Sequence, residues 1–337
     1  MKGTTGFLLS VFALEKVLSE FSLVERGRKY EADGSQYKIY LKTSGGDLVS
    51  AWHDLPLTRA GDQETYNMVV EIPRFSQAKF EINREMRLNP LVQDLADGQP
   101  RYLANVFPWH GHLCNYGALP QTWENPFQPD PWTNLPGDRD PIDVCEIGSN
   151  PFPTGSVVPV RVLGILGLID KSETDWKVIV INAEEAREKS IKTMKDLESR
   201  YPNMLNSIRK FFRIYKVPSG KPENKFAFDG EFQNEEFARE VIRVTHQHWR
   251  DLVQNCSISG LEVGRLSRTN TQLNTACSIS QEEAREEVEL QADHQTPPAR
   301  RPQDVDRWSF VSTSGGGAVH HRLTLLLALT HLLSLAC

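Results

Sequence analysis

SVVPVRVLGILGLIDKSETDWKVIVI, residues 156–181, holds two apolar runs, 156–169 and 176–181, joined by a short polar link. Runs of this length, rich in Val, Ile and Leu, read as buried strands, and the link reads as a hairpin. Asp170 closes the first strand and Asp175 opens the second, so both come to the same end of the sheet. Lys177, two residues on, shares the side of Asp175 because side chains alternate along a strand. Upstream, YKIYL (37–41), LVSAW (48–52), NMVVEI (67–72) and KFEIN (79–83) are further short strands punctuated by Gly, Pro, Asn and Asp. Many short strands with little helix between them, over about Tyr37–Asn182, predict a barrel or sandwich. Helical spacing begins later: Met204, Leu205, Ile208, Phe211 and Phe212 fall on one face, as do Phe237, Val241, Thr245, His248 and Leu252. The expected class is α+β, mainly β.

The composition agrees with a folded domain. The chain has 337 residues, 39% of them hydrophobic, and a net charge of −6 from 38 basic and 44 acidic side chains. Disorder would need fewer apolar residues and a larger net charge. The acidic balance argues against a nucleic-acid coat or a basic membrane-binding face. Cys114, Cys145, Cys256, Cys277 and Cys337 are odd in number and scattered, with no CxxC pair; a reduced compartment is the simpler reading. His110, His112, His246 and His248 form HxH pairs among aromatic residues, a setting that fits packing better than zinc.

Chemistry concentrates in GDRDPIDVCEIG (137–148), where Asp138, Asp140 and Asp143 stand among apolar residues. Carboxylates packed this closely need counter-cations, and oxygen ligands alone select a hard cation, usually Mg2+. A turn with solvated aspartates explains the run equally well when taken alone. Two more mixed groups follow the same pattern: Asp170, Asp175 and Lys177 at the hairpin, and Lys79 and Glu81 on one strand face with Glu71 at the end of the preceding strand. Lys79, Arg101, Lys177 and Lys216, with the hydroxyls of Tyr116 and Tyr215, are donors suited to a multiply charged phosphate. Metal-holding carboxylates beside phosphate-holding cations meet the needs of metal-assisted phosphoryl transfer. No Walker loop or kinase loop is present.

The chain resembles the soluble family I inorganic pyrophosphatases of eukaryotic type. The matching strings are AWHDLPL, NMVVEIPRFSQAKFEI, LNPLVQD, GQPRYLANVFPWHG, NYGALPQTWENP, GDRDPIDVCEIG, LGLIDKSETDWKVI and FFRIYKVPSGKPENKFAF, in order over roughly Tyr37–Val253. QDVDRWSF, near Trp308, resembles the family's C-terminal end. The resemblance implies an OB-like five-stranded closed barrel with flanking strands and packing helices, Mg2+ as cofactor, a homodimer, and hydrolysis of pyrophosphate to two orthophosphates, a reaction that drives biosynthesis and phosphate metabolism. By position it makes Asp138, Asp143, Asp175, Asp170 and Glu81 metal ligands and Asp140 the base that deprotonates water. It makes Lys79, Arg101, Tyr116, Lys177, Tyr215 and Lys216 substrate ligands, with Glu71 at the site's edge. Departures lie beside these positions: Arg139 for Asn, Lys171 and Ser172 for Glu and Gly, His112 for Tyr, and Ser219 for Asp.

The expected organisation is an N-terminal extension (1–30), a pyrophosphatase domain (31–256), a loosely ordered segment (257–311), and a Gly/Ser linker with an apolar tail (312–337). The extension reads as variable or as a short helix carrying Phe12, Leu14, Val17, Leu18 and Phe21. The final run of 15 residues, Leu323–Cys337, is short for a membrane span of about 20, so attachment through it is not expected. The cytoplasm is the expected location, with the mitochondrial matrix as the alternative. Two rival functions fit less well. An OB module binding single-stranded nucleic acid would present a basic groove, whereas the expected site is dominated by carboxylates that would repel a phosphate backbone, so no nucleic-acid partner is expected. A protein phosphatase would need a docking groove that the sequence does not display.

Overall fold

The computed structural model describes residues 21–26, 37–255, 278–291 and 304–311. Five strands close into a ring: Asp62–Ile72, Asn115–Ala118, Asp143–Glu146, Glu173–Asn182 and Val157–Asp170, the last pairing back onto the first. The Asp143–Glu146 and Glu173–Asn182 pair is parallel and the others antiparallel. The hairpin read from residues 156–181 is present, with Leu168 opposite Asp175 and Asp170 opposite Glu173. A second sheet, containing Phe21–Arg26, Lys38–Thr43, Leu91–Gln93 and Phe80–Ile82, flanks the ring.

Register sets the site. The parallel pairing puts Asp143 opposite Lys177, and the antiparallel pairing puts Ala118 opposite Asp143 and Tyr116 opposite Cys145. Tyr116, Asp143 and Lys177 therefore come together from three strands. Gly117 permits the tight approach: a Cβ there would overlap the Val69 carbonyl, and the pairing register shifts between Tyr116 and Gly117.

Helices seal the ring. Met204–Ile214 buries Ile208, Phe211 and Phe212 against Leu166, Leu168 and Ile179, matching the face expected from its spacing. Glu235–Asn255 buries Val241, Thr245 and Leu252 as expected, and also Ala238, Ile242, Trp249 and Val253. Each Val, Leu, Ile or Phe side chain among these contributes about 1.5–3 kcal/mol on full burial. The Trp249 indole donates to His53 Nδ1 at 2.9 Å while His53 stacks on Trp52, so the AWHD motif serves packing.

Several elements differ from the sequence reading. Asn115–Ala118 and Asp143–Glu146 are ring strands too short to show a period. Ala183–Glu188 and Met194–Arg200 are helices opened by the caps Asn182 and Thr193. Phe21, expected in a short helix, begins the strand Phe21–Arg26, which pairs with Lys38–Thr43 and so ties part of the expected extension to the body. In the segment expected to be loosely ordered, Gln281–Glu289 is a helix with a Ser280–Glu283 capping box, and it buries Ala284 and Val288 beside Tyr40 and Leu48. Trp308–Ser309 pairs in parallel with Asn105–Val106. Cys114 and Cys145, expected to be reduced, form a disulfide with their Cα atoms 5.6 Å apart, because the paired strands bring Cys145 beside the residue that follows Cys114 by two. The expectations for residues 1–20 and 312–337, and for Cys256, Cys277 and Cys337, lie outside the described residues.

Candidate active site

One cleft of about 700 Å3 is lined by Glu71, Lys79, Glu81, Arg101, Tyr116, Asp138, Asp140, Asp143, Asp170, Asp175, Lys177, Tyr215 and Lys216. Every site residue expected from the sequence thus faces the same space. The Asp138–Asp140 loop is fastened from both sides. Gly137 N–H donates to the Asn125 carbonyl at 3.0 Å, Arg139 N–H to the Glu124 carbonyl at 3.0 Å, and Glu124 N–H to the Asp140 carbonyl at 2.9 Å. On the other side Thr174 N–H donates to the Pro136 carbonyl at 2.7 Å. Asp138 Oδ1 accepts from the Asp140 N–H at 3.0 Å, an Asx turn that holds the two carboxylates in sequence.

Lys177 is 1% exposed and lies between Asp143 and Asp175, bonding both, and its Nζ reaches the Tyr116 hydroxyl at 2.8 Å. Burial by itself would lower the lysine's pKa, but Asp143 and Asp175 outweigh it and push it well above the ordinary value. Elsewhere the cations and acids also meet in pairs. Lys79 bonds Glu81 and reaches Asp94 at 3.2 Å, Arg101 reaches Asp94 at 2.7 Å, and Lys216 reaches Asp170 at 2.7 Å. Tyr215 caps the Met204–Ile214 helix and stacks on Phe211, placing Lys216 at the cleft wall.

The carboxylates outnumber these cations, and the excess shows in their proton affinities. Burial, followed by repulsion from Asp175, raises Asp138 well above the ordinary range. Burial raises Asp175 to about 6, opposed by Lys177. Asp140 is raised by burial and opposed by Arg84, whose Nε lies 2.7 Å from Asp140 Oδ1. Glu71, which accepts the Ile82 N–H at 2.8 Å, is raised by burial and then by Asp143.

Glu124 escaped the sequence reading. It is 3% exposed, its Oε1 accepts the Trp176 N–H at 2.9 Å, and its Oε2 is buried with no hydrogen-bond partner. Its proton affinity is raised by burial and then by Asp138. Ligand atoms of Glu124, Asp138 and Asp175 lie within 4.8 Å of one another. A carboxylate oxygen orphaned beside two others, in an all-oxygen donor set, fits a hard divalent cation. The neighbours of Glu124, namely Thr122, Trp123, Asn125 and Pro126, form no period or charge cluster that would single it out. Asp94 and Arg84, which pair with site residues, were also missed.

No histidine joins this group among the described residues. His112 is buried against Tyr116 and Phe211, with ring centroids 4.5 and 5.0 Å away, and its Nδ1 lies 3.2 Å from the Cys114 carbonyl. Burial holds its pKa down to about 3, against 6.5 for a free histidine. The unfolded chain therefore binds a proton that the folded chain refuses, and this stability is lost as pH falls through 6.5 toward 3. We expect the unfolding free energy of wild type relative to His112→Phe to decline by up to about 1.4 kcal/mol per pH unit between pH 6 and 4. Parallel pH profiles from urea titrations would contradict this.

Comparison with known proteins gives one consistent result. The family model described as inorganic pyrophosphatase matches residues 68–250. The chain is 42% identical to the inorganic pyrophosphatase of Candida albicans over 83% of its length and 95% of that protein's. It is 41% identical to the inorganic pyrophosphatase of Homo sapiens over 86% of its length and 98% of that protein's. Among solved structures, the inorganic pyrophosphatase of Schistosoma japonicum superposes with a TM-score of 0.79 at 42% identity, covering 86% of this chain and all of that one. An N-terminally truncated vacuolar soluble pyrophosphatase of Trypanosoma cruzi, solved with PPi, gives a TM-score of 0.64 at 37% identity, covering 69% of this chain and 91% of that one.

Proposed function

The chain belongs to the inorganic pyrophosphatase family and hydrolyses pyrophosphate, and we propose that it does so with Mg2+, by direct attack of water and without a phosphoenzyme. The observation that carries this reading is the cluster of Glu124, Asp138 and Asp175, of which Asp138 and Asp175 line the cleft together with Asp140 and a set of buried and half-buried cations. Asp138, Asp143 and Asp175, joined by Glu124, would hold the resident Mg2+, and Asp170 and Glu81 stand where further Mg2+ can enter with substrate. Bound there, Mg2+ supplies charge neutralisation for the phosphoryl oxygens and makes a nearby water more acidic.

The chain's own groups perform the rest. Asp140 accepts the proton of the attacking water; its backbone clamps hold it at the cleft, and its proton affinity lies above that of a free carboxylate. Lys79 and Arg101 bind oxygens of one phosphoryl group, and Tyr116, Lys177, Tyr215 and Lys216 bind the other, offsetting the charge that grows on the departing phosphate. Glu71 supports the strand that carries Glu81 through its bond to Ile82 N–H. No side chain needs to act as nucleophile.

Orthophosphate release from pyrophosphate tests the reading. Rapid release with Mg2+, its loss in EDTA and its return on adding Mg2+ are expected. A folded protein that releases no orthophosphate under the first condition would overturn the reading.

A homodimer accompanies this proposal. Phe75, Phe107, Trp308 and Phe310 are 60%, 59%, 43% and 78% exposed. Phe107 packs 6.2 Å from Trp308 and 5.6 Å from Phe310, and His110 bridges from Phe75 toward Trp308. A contiguous aromatic patch of this kind supports association with a second copy. Sedimentation should give twice the chain mass, falling toward the chain mass in Phe107→Asp; a monomeric wild type would count against it. No helix among the described residues is long and apolar enough to cross a membrane.

A further inference from the structure

The side chain of Asp140 is gripped by a residue that does not line the cleft. Arg84 Nε lies 2.7 Å from Asp140 Oδ1, and Arg84 Nη1 donates to the Arg139 carbonyl at 3.1 Å. One planar guanidinium thus holds a loop carbonyl and the carboxylate of the next residue together, which fixes the Asp140 side chain relative to its own backbone. Arg84 is not among the residues around the cleft, so it acts on the reaction through Asp140 rather than through pyrophosphate.

Both sides of the grip are built in advance. Arg139 has left-handed backbone at φ 79°, a conformation unfavourable for a residue with a Cβ. There its carbonyl accepts from Arg84 and also from the buried Trp123 indole, at 3.1 Å. Arg84 follows the strand Phe80–Ile82 and sits in a turn closed by its neighbours. Asn83 Oδ1 accepts the N–H groups of Glu85 and Met86 at 2.9 and 2.8 Å, Asn83 N–H donates to the Pro90 carbonyl at 2.9 Å, and the fully buried Asn89 donates from Nδ2 to the Asn83 carbonyl at 3.1 Å. Only the arginine side chain therefore has to be ordered to make the contact. With Oδ1 engaged, Asp140 Oδ2 has no hydrogen-bond partner among the described residues.

We propose that Arg84 is a positioning residue for the hydrolytic step, holding Asp140 by Oδ1 so that Oδ2 meets the attacking water. This rests on the assignment of Asp140 as the base in the reading above. The proton of water passes to Oδ2 while Oδ1 stays on the guanidinium. Without that grip the carboxylate turns about its side-chain torsions, and a smaller fraction of substrate complexes has it aligned. Turnover falls while substrate affinity stays, because Arg84 makes no contact in the cleft.

The test compares wild type with Arg84→Met, Arg84→Lys, Asp140→Asn and the double variant Arg84→Met/Asp140→Asn, each on pyrophosphate with Mg2+. Arg84→Met keeps the aliphatic stem and removes the guanidinium. Its kcat should fall about tenfold, while KM and the Mg2+ concentration giving half the maximal rate each move less than about twofold. Its urea midpoint should stay near that of wild type, because both partners of the ion pair are more than a third exposed. Arg84→Lys keeps a cation for Oδ1 and should recover part of the lost turnover. In the Asp140→Asn background the methionine should cost less than about twofold, because no base remains to be aligned. A tenfold loss in both backgrounds, or a Mg2+ requirement that rises with the loss, would show that Arg84 merely supports the loop and would overturn the proposal. Unchanged or faster turnover in Arg84→Met would overturn it as well. Full turnover in Asp140→Asn would instead sink the base assignment on which it rests, and a wild type that releases no orthophosphate would sink the hydrolytic reading itself.

Discussion

Asp140→Asn should slow orthophosphate release by roughly two to four orders of magnitude, the usual scale for losing a general base, with little change in stability. Asparagine has the same shape but does not take the proton of water at neutral pH. The contacts that place the residue are made by its backbone: its N–H donates to Asp138 Oδ1 and its carbonyl accepts from Glu124. Neither depends on the side-chain charge. The lost ion pair is with Arg84, and the two side chains are 37% and 44% exposed, so the stability cost should stay within about 1 kcal/mol. The required comparison is turnover at saturating pyrophosphate and Mg2+ beside the urea midpoint of both proteins. A variant that keeps full turnover would remove Asp140 from the base position.

Lys177→Met should have the largest effect on folding. Lys177 is buried between Asp143 and Asp175, with Tyr116 as a third partner. Methionine fills similar volume, so the cost comes from two acids left without their cation rather than from a cavity. Breaking a buried pair in this way costs about 3–5 kcal/mol. Two responses limit it, and each can be measured. Asp175, already raised to about 6 by burial, can neutralise itself by taking a proton. A carboxyl whose folded pKa is raised is favoured in the folded state at low pH, so the destabilisation should shrink as pH falls through that value and below. Mg2+ can also supply the missing positive charge, so it should restore part of the urea midpoint that EDTA exposes. Turnover should be lost under all conditions, because the same ammonium is assigned to the departing phosphate. An unchanged urea midpoint in EDTA at neutral pH would show that the pair contributes no stability.

The parts of the site that could be read from sequence are those generated by local geometry. Glu81 lies on the strand Phe80–Ile82 with Lys79 just before it, and Asp175 and Lys177 are two apart on one strand; a spacing of two puts each pair on one face, and both pairs bond in the structure. Asp170 and Asp175 reach one sheet end because a short link joins two long apolar runs. Arg101, Tyr116, Tyr215 and Lys216 stood out only by residue type, as donors suited to phosphate, and motif resemblance assigned them to one site, since no period could indicate their places. Glu124, Asp94 and Arg84 show what neither route delivered. Each acts across tens of residues or through a loop: Glu124 reaches Trp176, Arg84 reaches Asp140, and Asp94 joins Lys79 to Arg101.

The fold divides in the same way. Long elements such as Val157–Asp170 and Glu235–Asn255 announce themselves because many residues repeat a pattern of burial. Asn115–Ala118 and Asp143–Glu146, at four residues each, are strands only because their neighbours pair with them. The helix Gln281–Glu289 has few apolar residues and is held by two of them against a surface made elsewhere in the chain.

The amino-acid sequence by itself determined a mainly β domain, a hairpin carrying Asp170, Asp175 and Lys177, and a surplus of carboxylates that calls for cations. Ring closure decided which carboxylates meet: it brought Tyr116, Asp143 and Lys177 together from three strands and left Glu124 Oε2 without a partner beside Asp138 and Asp175. The physical reason is range. Strand alternation and helical period act over a few residues, whereas burial and charge repulsion act between whatever groups the closed ring makes neighbours.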